Sequence, residues 1–171
     1  MSDIWQTTNS QPWVEALACG LISVKTRTSK PVVPVGATVL LHTSKSKLWK
    51  HWAGLSWIDQ VGIRNLLRGF VVAVATIEAV GPTKEIFKNS EYKFWDVYEH
   101  DGKWNSAAEW AVRFKDIQRL PNIIAVQGFQ APFAHAKTET IRKIISNNPK
   151  FETRLSGKKR SWTNIFAEDL M

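Results

Sequence analysis

Gln11-Pro12-Trp13-Val14-Glu15-Ala16-Leu17-Ala18-Cys19-Gly20 and the segment that follows it, Leu21-Ile22-Ser23-Val24-Lys25-Thr26-Arg27, change hydrophobic period within seventeen residues. Pro12 suits a first helical turn, where its missing N–H forfeits no bond, and Gly20 suits a C-cap. Trp13, Ala16 and Leu17 form an apolar stripe between them, which predicts a helix over about 12–19. Ile22 and Val24 then alternate with Ser23, Lys25 and Arg27, the period of a strand. One face of that strand belongs to the core. The other turns three polar side chains outward, available for chemistry.

Moving outward, Pro31, Pro34 and Gly36 punctuate a loop before a second short strand over 38–43. No carboxylate occurs between Glu15 and Asp59, whereas Lys25, Arg27, Lys30, Lys45, Lys47 and Lys50 all fall there. A cationic surface follows, and its natural partner is a polyanion, because phosphates neutralised by Lys and Arg release condensed counterions. From Lys45 to about Leu67 the spacing of Leu48, Trp52 and Leu55 is helical, with Gly54 and Gly62 as breaks. Trp49, Trp52 and Trp57 read as a packing face of that helix.

Residues 69–80 are nearly all apolar and rich in Val, the mark of a central strand covered on both sides. Residues 81–108 read as an irregular acidic insertion with a turn at Asp101-Gly102. Trp110, Val112 and Phe114 alternate with polar neighbours until Ile117 falls out of phase, which predicts a bulge near Lys115-Asp116. Pro121 is expected to end this strand and Ile123 to begin another. Thr138 is placed to cap a helix carrying Ile141, Ile144 and Ile145. The chain divides into a domain over 1–147, with its core at 11–145, and a basic tail over 148–171 that contains Lys158, Lys159 and Arg160.

The net charge of +8 among 171 residues and a sequence pI near 9.7 favour nucleic acid over a basic metabolite or a metal as partner. Nine Trp, eight Phe and two Tyr supply flat faces for stacking, although most are expected in the core. Cys19 is the sole cysteine, read as a small buried hydrophobe at a helix end; it excludes an intrachain disulfide and fits a reducing cytoplasm. His42, His51, His100 and His135 lack metal-ligand spacing, and no metal or other cofactor is expected. The first residues do not read as a signal peptide, and no apolar run reaches the ~18 residues of a membrane span.

Gln11-Pro12-Trp13, Gly20, the strand at 22–27 and His42-Thr43-Ser44-Lys45 together resemble the opening of ASCH domains, in the PUA-like superfamily. The order of later features agrees: the apolar strand opening at Gly69, the Trp110 strand, the Leu120-Pro121 break, and Gly128 followed by Phe129 and Phe133. The resemblance implies an α+β fold, a PUA-like mixed β-barrel closed on itself and flanked by helices, with a cleft beside the first helix and strand. It also implies binding of nucleic acid, with RNA favoured over DNA. A few relatives hydrolyse nucleic acid or act on a modified nucleoside.

Two departures bear on chemistry. Ile22 stands where the family pattern has Lys, and Lys25 where it has Glu or Thr. The lysine and hydroxyl of the small amide-hydrolysing relatives are both missing, which leaves catalysis of that type uncertain. Loss of the carboxylate also leaves Lys25 and Arg27 as two like charges that favour an anion between them. The expected nucleic-acid site is Ser23, Lys25, Arg27, Lys45, Lys47, Phe129, Lys158, Lys159 and Arg160. Phe129 is a stacking candidate, although it and Phe133 both suit barrel-closing core contact better. Two other readings stay open: a nuclease or modified-nucleoside hydrolase that uses Lys25 or Lys45 with Ser23 or Glu78, and a protein-interaction module.

Overall fold

In the computed structural model, residues 3–46, 66–87, 99–100, 103–104 and 109–156 are described. Residues 47–65 of the expected helix over 45–67, with its tryptophan cluster, the turn at Asp101-Gly102, and the site residues Lys47, Lys158, Lys159 and Arg160 lie outside them, while the described ends at 45–46 and 66–67 are not helical. The elements are β1 (Ile4–Asn9), α1 (Trp13–Ala18), β2 (Val24–Arg27), β3 (Thr38–Thr43), β4 (Phe70–Pro82), α2 (Thr83–Phe87), β5 (Glu99–His100) and β6 (Lys103–Trp104). After these come β7 (Trp110–Ala125), β8 (Ala134–His135), α3 (Thr138–Asn147), a 3-10 turn (Pro149–Phe151) and α4 (Glu152–Ser156).

Six strands form one curled half-barrel sheet in the order β2-β7-β4-β3-β1-β8, and β5 pairs with β6 apart from it. Direction is mixed: β1 runs parallel to β3, and the remaining pairs are antiparallel. The mixed barrel flanked by helices is therefore present, but as a half-barrel. Among the described residues β2 and β8 are its edges and do not pair, so the expected closure by hydrogen bonds is corrected.

Strand alternation decides which side chain goes to which core. Val39, Leu41, Val72, Ala75 and Ile77 pack with Trp13 and Leu17 of α1, Phe114 and Phe133. Leu40, Val71 and Val74 point the other way and pack with Ile141 and Ile144 of α3, Phe151 and Leu155. As its sequence predicts, β4 is covered on both faces. A third cluster joins Val24 to Ile86 and Phe87 of α2 and Ala111.

The change of period at 11–27 is realised as a complete helix stop. Gly20, at φ +78°, gives its N–H to the Leu17 carbonyl, and the Leu21 N–H reaches the Ala16 carbonyl. These two bonds satisfy carbonyls that the helix end would orphan, and only a residue tolerating a left-handed conformation can make them. Pro12 sits one residue earlier than expected, at the N-cap. Cys19 is exposed, not buried, because the chain turns away from the core there.

The predicted bulge is present: Asp116 has φ +49° and the β4–β7 register shifts between Val74 and Thr76. Pro121, however, does not end the strand. The register slips again opposite Val71 and Ala73, and β7 continues to Ala125. Asn148 compensates locally by accepting the Asn122 N–H at 2.9 Å and donating to the Asn122 carbonyl at 2.9 Å. Thr138 opens α3 without a side-chain cap, and Lys137 holds the N-cap position. Of the residues assigned to the tail, 148–156 belong to the packed fold: Phe151 and Leu155 are buried, and Arg154 donates to Gln118 at 2.7 Å and Thr76 at 3.1 Å.

Candidate functional site

Lys25 and Arg27 are two residues apart on edge strand β2, paired with Val112 and Trp110 of β7, so both side chains leave the same face. That face is half-buried and not open: Lys25 Nζ lies 4.9 Å from the centre of the Trp13 ring, and the Arg27 guanidinium 5.2 Å from that of Phe133. Both rings belong to the core that α1 covers. The opposite face of β2 is also covered, since Val24 is buried against α2.

The curl of the sheet brings β1 opposite β2, although β7, β4 and β3 separate them in strand order. Arg27 Nη2 donates to Asn9 Oδ1 at 2.6 Å and to Thr7 Oγ1 at 2.9 Å. Asn9 in turn donates through Nδ2 to Thr7 Oγ1 at 3.2 Å, and Thr7 donates to the Pro132 carbonyl at 2.7 Å. One guanidinium thus spans the gap that backbone pairing leaves. Its partners are neutral, and among the described residues no carboxylate forms an ion pair with Lys25 or Arg27. The Arg27 Nε is buried without a hydrogen-bond partner there.

Electrostatics follow from this geometry. Burial pushes the Lys25 ammonium down to about 7, and the nearby Arg27 charge adds to the shift. Burial lowers Arg27 to about 10, which leaves it charged at neutral pH.

Ser23 precedes β2, is half-buried, and accepts the Phe114 N–H on its carbonyl at 2.7 Å. Lys45 is exposed, and the described residues that share its cavity of about 460 Å³ are Leu66, Leu67, Arg68 and Phe70, none of them from β2. Gly69 makes that placement possible, because a Cβ there would come within 3.0 Å of the Lys45 stem. The Phe129 ring centre lies 5.8 Å from Lys137 Nζ, and its N–H donates to Thr8 Oγ1 at 3.2 Å. Phe133 is the aromatic that meets the guanidinium. Glu78 is engaged by Arg113 at 2.8 Å.

His42 is fully buried and holds the Phe129 loop in place. Its Nε2 meets the Val126 carbonyl at 2.9 Å, which requires a proton on that nitrogen, so Nδ1 accepts from Thr8 Oγ1 at 3.2 Å. Burial pushes its imidazolium form down from the ordinary value. Gly128 completes the arrangement, because a Cβ would fall 2.8 Å from His42 Cε1.

Three contributors had no adequate signal in the sequence. Thr7 and Asn9 come from β1, whose polar side chains show no alternation. Glu15 is 2 % exposed, accepts a very short bond from Arg119, and has its second oxygen buried without a partner among the described residues. Among the described residues no three His, Cys, Asp or Glu side chains are grouped to hold a metal ion, and no helix is long and apolar enough to cross a membrane.

No family model and no curated protein sequence matches the chain. Solved structures do. The ASCH protein of Zymomonas mobilis aligns with a TM-score of 0.52 at 15% identity, covering 84% of this chain and 94% of that one. A serine-to-alanine variant of the same protein gives 0.51 at 16% identity, with 85% and 98% covered. The fold is ASCH-like. The likeness shows the fold alone, and identity this low says nothing of individual site residues. Arg27, Thr7, Asn9 and Lys25 are therefore read from their own geometry.

Proposed function

We propose that this ASCH-like domain binds nucleic acid, RNA in preference to DNA, by gripping backbone phosphate on the Lys25–Arg27 face and seating an unpaired base beside it. The observation that carries the reading is that, among the described residues, Arg27 pairs with neutral oxygens alone. Thr7 and Asn9 orient the guanidinium without neutralising it, so its charge stays available to an anion. Lys25 adds a second cation over Trp13, and Ser23, two residues before it in the chain, is assigned as a hydrogen-bonding contact to the bound strand. Lys45, Lys47, Lys158, Lys159 and Arg160 contribute further positive charge for phosphate, with Phe129 as a stacking face at the loop that His42 anchors. RNA is preferred by analogy with PUA-like domains, and a reducing cytoplasm is the proposed setting.

The test is affinity for single-stranded RNA and DNA at several salt concentrations. Replacing Lys25 with Gln and Arg27 with Lys keeps the stems in place while weakening the fork and one charge. Weaker binding with a shallower salt dependence is expected. An unchanged slope overturns the assignment of the face.

A further inference from the structure

We propose that Lys25 is an amine nucleophile that forms an imine with an aldehyde carried beside a phosphate, the substrate being a nucleic-acid strand with an opened or oxidised sugar. The inference rests on the nucleic-acid reading of the Lys25–Arg27 face and adds a covalent step to it.

Three features place a reactive amine there. Lys25 Nζ stands over the indole of Trp13 in a half-buried position, so its charged form loses water contacts. Arg27 leaves the same strand face two residues on, and like charges disfavour each other. Among the described residues no carboxylate pairs with Lys25 to hold the proton. An ordinary surface lysine is protonated at neutral pH and has no lone pair to give; Lys25, pushed down to about 7, has a substantial neutral fraction. The neighbouring guanidinium, oriented by Thr7 and Asn9, is the group that would hold the phosphate.

The chemistry balances without a further reagent. The Nζ lone pair attacks the carbonyl carbon, the C=O π pair moves to oxygen, and a proton passes from nitrogen to that oxygen to give a carbinolamine. Loss of water then forms the C=N bond. Nothing is oxidised or reduced, and hydrolysis reverses the sequence.

Borohydride trapping tests the step. The full chain is incubated with RNA oxidised by periodate to a 3′ dialdehyde, with DNA bearing an abasic site, and with glycolaldehyde phosphate; unmodified strands measure retention. A covalent adduct that appears only with borohydride and maps to Lys25 is expected, with a trapping rate that rises through about pH 7. Lys25→Arg and Lys25→Met, each checked for native near-UV circular dichroism, should lower the yield at least tenfold. Adducts unchanged in both variants, or located on other lysines, overturn the proposal. Trapping of glycolaldehyde phosphate at Lys25 without retention of any strand keeps the nucleophile and overturns the nucleic-acid source. Retention of unmodified strands with no adduct at Lys25 overturns the nucleophile and leaves the phosphate grip standing.

Discussion

Arg27 Nη2 lies 2.6 Å from Asn9 Oδ1 although their strands are separated by three others in the sheet. A side chain here performs the joining that strand pairing performs in a closed barrel. The same guanidinium is the charge at the centre of the proposed phosphate grip, so the stability of the half-barrel and anion binding share one group.

Asn9→Ala should therefore affect both properties. It removes a charge-assisted bond in a half-buried setting, which is worth about 1.5–3 kcal/mol, and releases Arg27 from one of its two anchors. Urea unfolding should show a lower midpoint. RNA binding should weaken while its salt slope stays unchanged, because no cation is lost.

Proton binding to Lys25 gives a pH signature. With its folded pKa at about 7 and its unfolded value near the ordinary 10.5, the unfolded chain binds more protons between those limits. Stability should rise with pH across that window, an effect that Lys25→Met removes. Anion binding should fall as pH rises through about 7, where the ammonium of the folded protein is neutralised. Denaturant titrations and RNA binding at matched ionic strength read the two trends.

His42 has the opposite working range. Burial favours its neutral form, so below the ordinary 6.5 the unfolded chain takes up protons that the folded chain resists, and stability should decline as pH falls. His42→Gln should flatten that decline, measured as melting temperature against pH. Gly128→Ala should cost about 1–3 kcal/mol at any pH, because its methyl would meet the imidazole.

Arg119→Met should destabilise the fold by about 3 kcal/mol, the low end for leaving a buried carboxylate without its cation. Glu15, at 2 % exposure, is the group abandoned. Replacing both residues together, as Glu15→Gln with Arg119→Met, should recover part of the loss in a double-mutant cycle.

Leu155→Ala tests whether 149–156 belongs to the folded unit. Leu155 is 3 % exposed in the core under α3. A loss of about 2–4 kcal/mol in urea unfolding is expected, as for other buried leucines. Replacing Lys158, Lys159 and Arg160 with Ala should instead spare stability and flatten the salt dependence of RNA binding.

The sequence disclosed the elements whose signal is local. The helix stop at Gly20, the two-sided burial of β4 and the bulge at Asp116 each follow from residue spacing within one segment. The half-buried face of β2 was harder to read, because alternation tells only that Lys25 and Arg27 share a side. It does not tell that the sheet curls until Phe133 and β1 cover that side. β1 itself escaped notice: Gln6, Thr7 and Asn9 are polar yet buried, and their partners are Arg27, Gln127 and Pro132, far along the chain. Pro121 misled for a similar reason, since Asn148 supplies the bonds that let the strand pass it.

The placement of β1 also has a consequence for synthesis. Its neighbours are β3 and β8, and Arg27 completes its seat between Thr7 and Phe133. A ribosome-bound chain shorter than about 135 residues lacks β8 entirely, so the grip assembles only late in translation. Nascent chains arrested before that point should carry Arg27, Thr7 and Asn9 without the Phe133 ring and the β8 strand that complete their seat.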